Sequence, residues 1–215
     1  MEIKVLKDIL GANEQLAAKN RELLDKNKVF AVNVMASPGA GKTSVVLQTI
    51  KALKGKVKIG VIEGDIASSI DAETVAKEGV PVVQINTGGE CHLEAIQIQN
   101  ALNNLPLADI DLLLIENVGN LVCPAEFSLG EHLKILIASV PEGDDKPYKY
   151  PNIYRGIDAL IINKIDLIPY VEFNMDYFRR GVEMLNPGVI TFPISCRTGE
   201  GVEAWVNWLA EKVRK

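Results

Sequence analysis

Seven short apolar runs, "VFAVNVM", "VKIGVIE", "PVVQIN", "IDLLLIEN", "KILIASV", "ALIINK" and "VITFPIS", recur along the chain with helix-patterned stretches between them. Runs this continuously apolar suit strands covered on both faces, because a sheet with one wet face alternates apolar and polar residues instead. Strand and helix in alternation require crossovers, which are right-handed. The chain is therefore predicted to be an α/β protein, a mostly parallel β-sheet flanked by helices on both sides. Ligands of such sheets lie beyond the C-terminal ends of the strands, so the residues that directly follow the seven runs are the candidates for chemistry.

Ahead of the first run, residues 2–26 place Ile3, Leu6, Ile9, Leu10, Leu16, Leu23 and Leu24 at roughly helical spacing among polar residues. This stretch is read as an amphipathic helix (1–26) that packs on the main domain (27–215) or on a second copy. Residues 141–152, "PEGDDKPYKYPN", carry three prolines and are expected to be a loop. There is no internal repeat. At 47% hydrophobic the 215 residues can bury one full core. No stretch reaches the length of a membrane span, and the start "MEIKVLKDILGANEQ" has charges where a signal peptide is apolar, so a cytoplasmic location without membrane contact is expected. The net charge of −5, with no run of basic residues, argues against nucleic acid. Three cysteines, an odd number, are expected to be thiols.

The first run leads into "ASPGAGKT", Ala36 to Thr43, and then "SVVLQTIKAL". Seven of its eight letters fit the phosphate-loop pattern G-x-x-x-x-G-K-T, with Ala36 in the place of the first glycine, a change that is harmless where φ is negative. From Pro38 through Gly39, Ala40 and Gly41 the backbone can turn its N–H groups inward, and the helix opening near Lys42 adds its dipole, a nest for phosphates that extends through Thr43 to Ser44. Lys42 is placed to reach the β- and γ-phosphates and the Thr43 hydroxyl to ligate Mg2+.

The base is read from "NKID", 163–166, at the end of the sixth run. There the Asp166 carboxylate can accept both guanine N–H donors, while Asn163 reaches the other edge and the Lys164 stem lies along the ring. Adenine lacks that donor pair and would leave a desolvated carboxylate unpaired, at about 1–3 kcal/mol. "SCRTGEG", from Ser195 and Cys196, follows the last run and stands where backbone N–H groups contact the guanine oxygen. These elements, in this order, favour GTP.

Between them, "IENVGN" (115–120) offers an acidic residue and a glycine three positions later. Glu116 would hold the Mg2+ shell and the Gly119 N–H would meet the γ-phosphate. Asp65, ending "EGD", is the candidate for a direct Mg2+ role, and Asp71 for orienting the attacking water; either could instead cap the following helix. Asn120 follows Gly119 where small GTPases carry a water-orienting glutamine, so slow hydrolysis is expected.

"TGGECHLEA" places Cys91 and His92 after the third run, and "ENVGNLVCPAEF" places Cys123 four residues beyond Gly119. Both loops leave strand ends on the nucleotide side, so the three residues can meet. Two thiolates and an imidazole suit Zn2+ or Ni2+, but closed structural zinc takes four ligands; a second subunit or water would supply the fourth. Because Gly119 and Cys123 share a loop, metal affinity and nucleotide state are expected to be coupled, and reciprocally so. Cys196 belongs to the guanine loop and His132 to the start of a strand.

The motifs "ASPGAGKT", "EGD", "NTGGECHLEA", "IENVGNLVCPAEFSLGEH", "PEGDDKP", "NKID" and "SCRTGEG", spread over nearly the whole chain, resemble the HypB family of nickel-inserting GTPases. The resemblance implies a P-loop GTPase of the SIMIBI class and a GTP-promoted homodimer. It also implies metal at Cys91, His92 and Cys123, a HypA-like zinc accessory protein as partner, and nickel delivered to a hydrogenase large-subunit precursor. "MEIKVLKDILGANEQ" carries neither the cysteine motif nor the histidine-rich tract found at the start of some members. The urease-maturation GTPases resemble it less, since their metal motif is Cys-Pro-His and here Ala125 follows Cys123 and Pro124. A metabolic P-loop kinase is a further alternative.

Overall fold

The computed structural model describes residues 9–66 and 68–214. In chain order the elements are α1 (Ile9–Lys26), β1 (Phe30–Ala36), α2 (Lys42–Leu53), β2 (Ile59–Asp65), α3 (Ile70–Ala76), β3 (Val82–Asn86), α4 (Ala95–Leu102) and β4 (Leu112–Glu116), then β5 (Leu133–Ser139), α5 (Lys146–Lys149), α6 (Pro151–Arg155), β6 (Ala159–Asn163), α7 (Met175–Leu185), β7 (Ile190–Pro193) and α8 (Val202–Val213). The strands form one sheet in the order β3-β2-β4-β1-β5-β6-β7, every pair parallel. β1 is central, with Val32 level with both Leu114 of β4 and Leu133 of β5. The loop leaving β1 is thus bordered by those leaving β4 and β5.

The alternation of side chains divides the core. Val32 and Val34 of β1 point to a layer formed by α2 and α8, where Val45, Ile50, Trp205 and Leu209 are buried. Ala31 and Met35 point the other way. Ala31 meets α1 and α4 through Leu24 and Ile98, and Met35 meets α6 and α7 through Tyr154 and Phe178. Burying one such side chain stabilises the fold by about 1.5–3 kcal/mol, so helices on both faces are what continuously apolar strands demand.

Two expectations need correction. Residues 141–152 are not an irregular loop but three short helical turns: a 3-10 turn at Val140–Glu142, then α5 and α6. Pro141, Pro147 and Pro151 each sit in the first positions of a turn, where the missing N–H has no partner to lose and the fixed φ is already helical. In α1 the buried face is Asn13, Ala17, Asn20 and Leu24 rather than a leucine stripe, with Leu16 and Leu23 only half-buried. The asparagines dock by hydrogen bonds. Asn20 Nδ2 donates to the carbonyls of Ala95 (2.8 Å) and Leu129 (3.1 Å), and Asn13 donates to Ser128 O (2.8 Å) and accepts from Ala95 N (2.8 Å). The remaining residues of the expected helix, Ile3 and Leu6 among them, lie outside those described.

Candidate functional site

The phosphate loop runs from the end of β1 to the start of α2. Gly39 and Gly41 have φ of +75° and +98°, values that only glycine adopts without strain. Gly41 also lacks room: a Cβ there would stand 2.5 Å from Asn163 Nδ2. Ala36 closes β1 in extended backbone, so it meets no glycine requirement. The loop after β4 is tied alongside, with Asn117 N donating to Val34 O (3.0 Å) and Asn120 N to Ala36 O (2.8 Å). Gly119 comes so close to the phosphate loop that a Cβ would be 3.0 Å from Pro38 N. The Asn120 carboxamide accepts from Val122 N (2.8 Å) within its own loop. Ser37 Oγ donates to Glu142, which joins the start of the loop to the turn after β5.

At the head of α2 the Thr43 hydroxyl donates to Glu116 Oε1 (2.9 Å). One oxygen each of Glu63, Asp71 and Glu116 lie within 4.8 Å of one another. Glu63 was not among the residues expected here. The parallel register sets it directly beside Glu116, so a carboxylate at the end of one buried strand gains a second at the end of the next. Asp65 sits one pleat further on, past the end of β4, outside that cluster; its Oδ1 accepts from Ser68 N (2.7 Å), one residue ahead of Ser69, the N-cap of α3. Burial, then the Glu116 charge, pushes the Glu63 carboxyl up to about 10. Burial also raises Glu116, against the pull of Lys42. Among the described residues no donor reaches Glu63 Oε2 or Glu116 Oε2, both buried, and the two carboxyls face only each other. Hard oxygen donors left in this way beside a threonine hydroxyl fit Mg2+.

The side that carries "NKID" is tied differently. Asn163, buried, donates to Ala40 O (3.0 Å) and accepts from Lys164 N (2.8 Å) and Cys196 N (3.4 Å). Its amide therefore fastens the phosphate loop to the base loops rather than standing open toward a base edge. Lys164 has a left-handed backbone (φ +63°) and lays its ammonium on Gly39 O (2.6 Å). Such strain in a non-glycine residue costs about 1–3 kcal/mol and persists where neighbours over-determine it. Ser195 Oγ donates to Asp166 Oδ1 (2.7 Å), and Gln48 of α2 donates to Cys196 O (2.8 Å). Asn163, Lys164, Asp166, Cys196 and Ser44 line one cavity of about 440 Å³. Burial pushes the Cys196 thiol up to about 11, helped by the Asp166 charge.

On the other side of the phosphate loop, Cys91 and Cys123 bring their sulfurs to 2.8 Å although 32 residues separate them. Both are free thiols. His92 Nδ1 is 3.7 Å from Cys91 Sγ, and its ring lies against Phe127 with centroids 3.9 Å apart. One ligand atom of each of the three falls within 4.8 Å of the others, and all three residues are half-buried. His92 Nε2 is buried with no hydrogen-bond partner; Glu94 Oε1 stands 3.7 Å away. The bond to Cys91, with burial adding to it, raises the Cys123 thiol. The sulfur and nitrogen donor set fits Ni2+ or Zn2+ better than a hard ion. His132, directly before β5 as expected, links α1 to β1: Nδ1 accepts from Ala31 N (3.0 Å) and Nε2 contacts Asp25 Oδ1 (2.8 Å).

A seven-stranded parallel sheet with a phosphate loop at its centre is the fold of a P-loop nucleotide-binding protein. At the level of fold, a signal recognition particle receptor FtsY from Elizabethkingia anophelis matches 95% of the chain over 76% of its own, at 17% identity and a TM-score of 0.52. Residues 30–193 match the model of the CobW/HypB/UreG nucleotide-binding domain, and the chain belongs to that family, with HypB proteins as its relatives. A hydrogenase maturation factor HypB from Rhizobium leguminosarum bv. viciae is 47% identical over 96% of this chain and 69% of its own. HypB from Archaeoglobus fulgidus superposes with a TM-score of 0.89 at 40% identity, covering 94% of this chain and 99% of that one. HypB from Helicobacter pylori, crystallised in complex with nickel, does so with 0.90 at 39% identity, covering 94% and 95%.

Proposed function

We propose that the protein is a GTP-hydrolysing nickel carrier for hydrogenase maturation. It would hold the metal at Cys91, His92 and Cys123 and pass it, with a HypA-like zinc accessory protein, to the hydrogenase large-subunit precursor. The observation that carries this reading is the 2.8 Å approach of the Cys91 and Cys123 sulfurs, next to a phosphate loop. Neither thiol pairs as a disulfide, and no hydrophobic cluster needs two facing sulfurs.

In this reading Pro38–Ser44 wraps the phosphates, with Lys42 drawing charge off the γ-phosphate and the Gly119 N–H sensing it. Thr43 and Glu116 would hold Mg2+, with Asp65 or Glu63 adding to its shell, and the ion would supply charge neutralisation to the phosphates. Asp71, the most exposed of the acidic cluster, orients the attacking water. Asp166 reads guanine, with Asn163, Lys164, Ser195 and Cys196 shaping the pocket. Loss of the γ-phosphate frees the 118–123 loop, and Cys123 moves with it. Exposed Ile66, Ile70 and Val122 beside these loops support a face-to-face homodimer in the GTP state. The cytoplasm, where thiols stay reduced, suits such a site.

Two measurements test the reading. Nickel is titrated into the protein with GDP and with a non-hydrolysable GTP analogue, following thiolate-to-metal absorption and mass together. Affinity should depend on the nucleotide, and the signal should vanish in Cys91→Ala and Cys123→Ala; absorption surviving in both variants would sink the metal assignment. Asp166→Asn should shift preference from GTP toward xanthosine triphosphate, because xanthine offers a carbonyl where guanine has its amino group. Unchanged GTP binding would refute the guanine assignment.

A further inference from the structure

Asn117 directly follows β4 and is completely buried. Glu116 faces Thr43 at the end of the phosphate loop, so Asn117 faces the opposite layer, where its carboxamide carries an unusual load. Oδ1 accepts two backbone N–H groups, from Val118 at 2.9 Å and from Leu93 at 3.0 Å. Nδ2 donates to Asn33 Oδ1 at 3.2 Å, and Asn33 in turn donates to Glu131 at 3.3 Å. Val118 begins the loop that contains Gly119 and Cys123. Leu93 adjoins His92, and its buried side chain lies so near β2 that a Cβ on Gly64 would stand 2.7 Å from it. A single oxygen therefore joins the two loops that carry the thiols.

That oxygen can serve both amides only while they stay within hydrogen-bonding distance, and a shift of about 0.5–1 Å in either is enough to break one. The carboxamide itself cannot follow freely, because Asn33 anchors its other end inside a close-packed layer. We infer that Asn117 is the positioning residue that transmits the nucleotide state to the Cys91–His92 half of the metal cluster, while Cys123 receives it directly along the chain. The inference rests on the nucleotide-coupled carrier reading above. Without Asn117, only one half of the cluster answers to the γ-phosphate.

Nickel affinities of wild-type protein and Asn117→Ala are measured with GDP and with a non-hydrolysable GTP analogue, after circular dichroism and GDP affinity establish that the variant is folded. In wild type the two nickel affinities should differ by about fivefold or more. In Asn117→Ala their ratio should fall toward one, whereas a merely structural role would weaken both equally and keep the ratio. A retained ratio overturns the inference and leaves the carrier reading intact; equal affinities in wild type overturn the carrier reading itself. Hydrogen exchange in wild type alone gives a second arm. The Leu93 amide should change its protection with nucleotide in step with residues 118–123, and identical Leu93 protection in both states overturns the inference even if the variant does not fold.

Discussion

At the end of the cleft that carries "NKID", Asn163, Lys164 and Ser195 commit polar atoms to protein partners in bonds that join one loop to another. At the phosphate and thiol end, Glu63 Oε2, Glu116 Oε2 and His92 Nε2 are buried with no donor or acceptor supplied by the other described residues, the two carboxyls facing only each other. Unpaired buried groups cost about 1–3 kcal/mol apiece, so the second region is held against its own electrostatic preference by the strands and loops that frame it. A base is recognised by a fixed edge, which rewards preorganisation. A cation, by contrast, is recognised by donors that lack other partners. The two ends are thus built as a rigid reader and a strained switch, and substitutions should affect them in opposite senses.

The largest effect is expected at Glu116. Glu116→Gln keeps the shape and the bond from Thr43 but removes a charge from a buried cluster. GTP hydrolysis should fall by about 10²–10³-fold, the scale of losing one electrostatic contact in an active site. The melting temperature of the nucleotide-free protein should stay level or rise, because the neutral amide relieves the desolvation that raises both carboxyls. A marked fall in stability would mean that the carboxylate pair is structural and the contrast between the two ends is false.

Asn163→Ala should behave in the reverse way. It strands Ala40 O, Lys164 N and Cys196 N in a buried place, so the free protein should lose about 2–3 kcal/mol by urea unfolding. Nucleotide affinity should fall along with stability. If stability is untouched while affinity falls, Asn163 acts on the base directly, as its place in "NKID" suggests, and the preorganised reading of this end needs revision.

The sheet and the positions of all seven strands were legible because continuously apolar runs leave no alternative face for water. The phosphate loop was legible because it is local, a few letters directly after a strand, and so was the place of "NKID" at the end of β6. What escaped was set by register and by the face opposite the ligand. Glu63 lies at the end of a quoted run, but only its pairing level with Glu116 makes it part of the cluster. Asn33, a polar letter inside "VFAVNVM", and Asn13 and Asn20, on the buried side of α1, signal a buried hydrogen-bond network; an apolar-stripe reading of that helix passes over them. Asn117 hid between two residues with obvious roles. Cys91 and Cys123 were placed on the same edge from sequence, yet their contact depends on the conformation of two loops in which Leu93 and Pro124 are buried, which no spacing rule specifies.

The smallest effect concerns His132, which belongs to neither end and so calibrates both. Burial lowers its pKa below the ordinary 6.5, outweighing the bond to Asp25, and Nδ1 already accepts from Ala31 N, which a proton there would forbid. The unfolded chain therefore binds the proton more readily than the folded one, and stability falls as pH drops through about 6.5 and levels off only below the depressed folded value. His132→Asn keeps an acceptor for Ala31 and cannot titrate. Its melting temperature should decline less than that of wild type between about pH 8 and pH 5.5, with hydrolysis and nickel binding unaltered. An identical pH profile for the two proteins would refute the burial argument for His132, because the Glu63 and Glu116 carboxyls, raised in the folded chain, bind protons more readily there than in the unfolded chain and gain stability as pH falls.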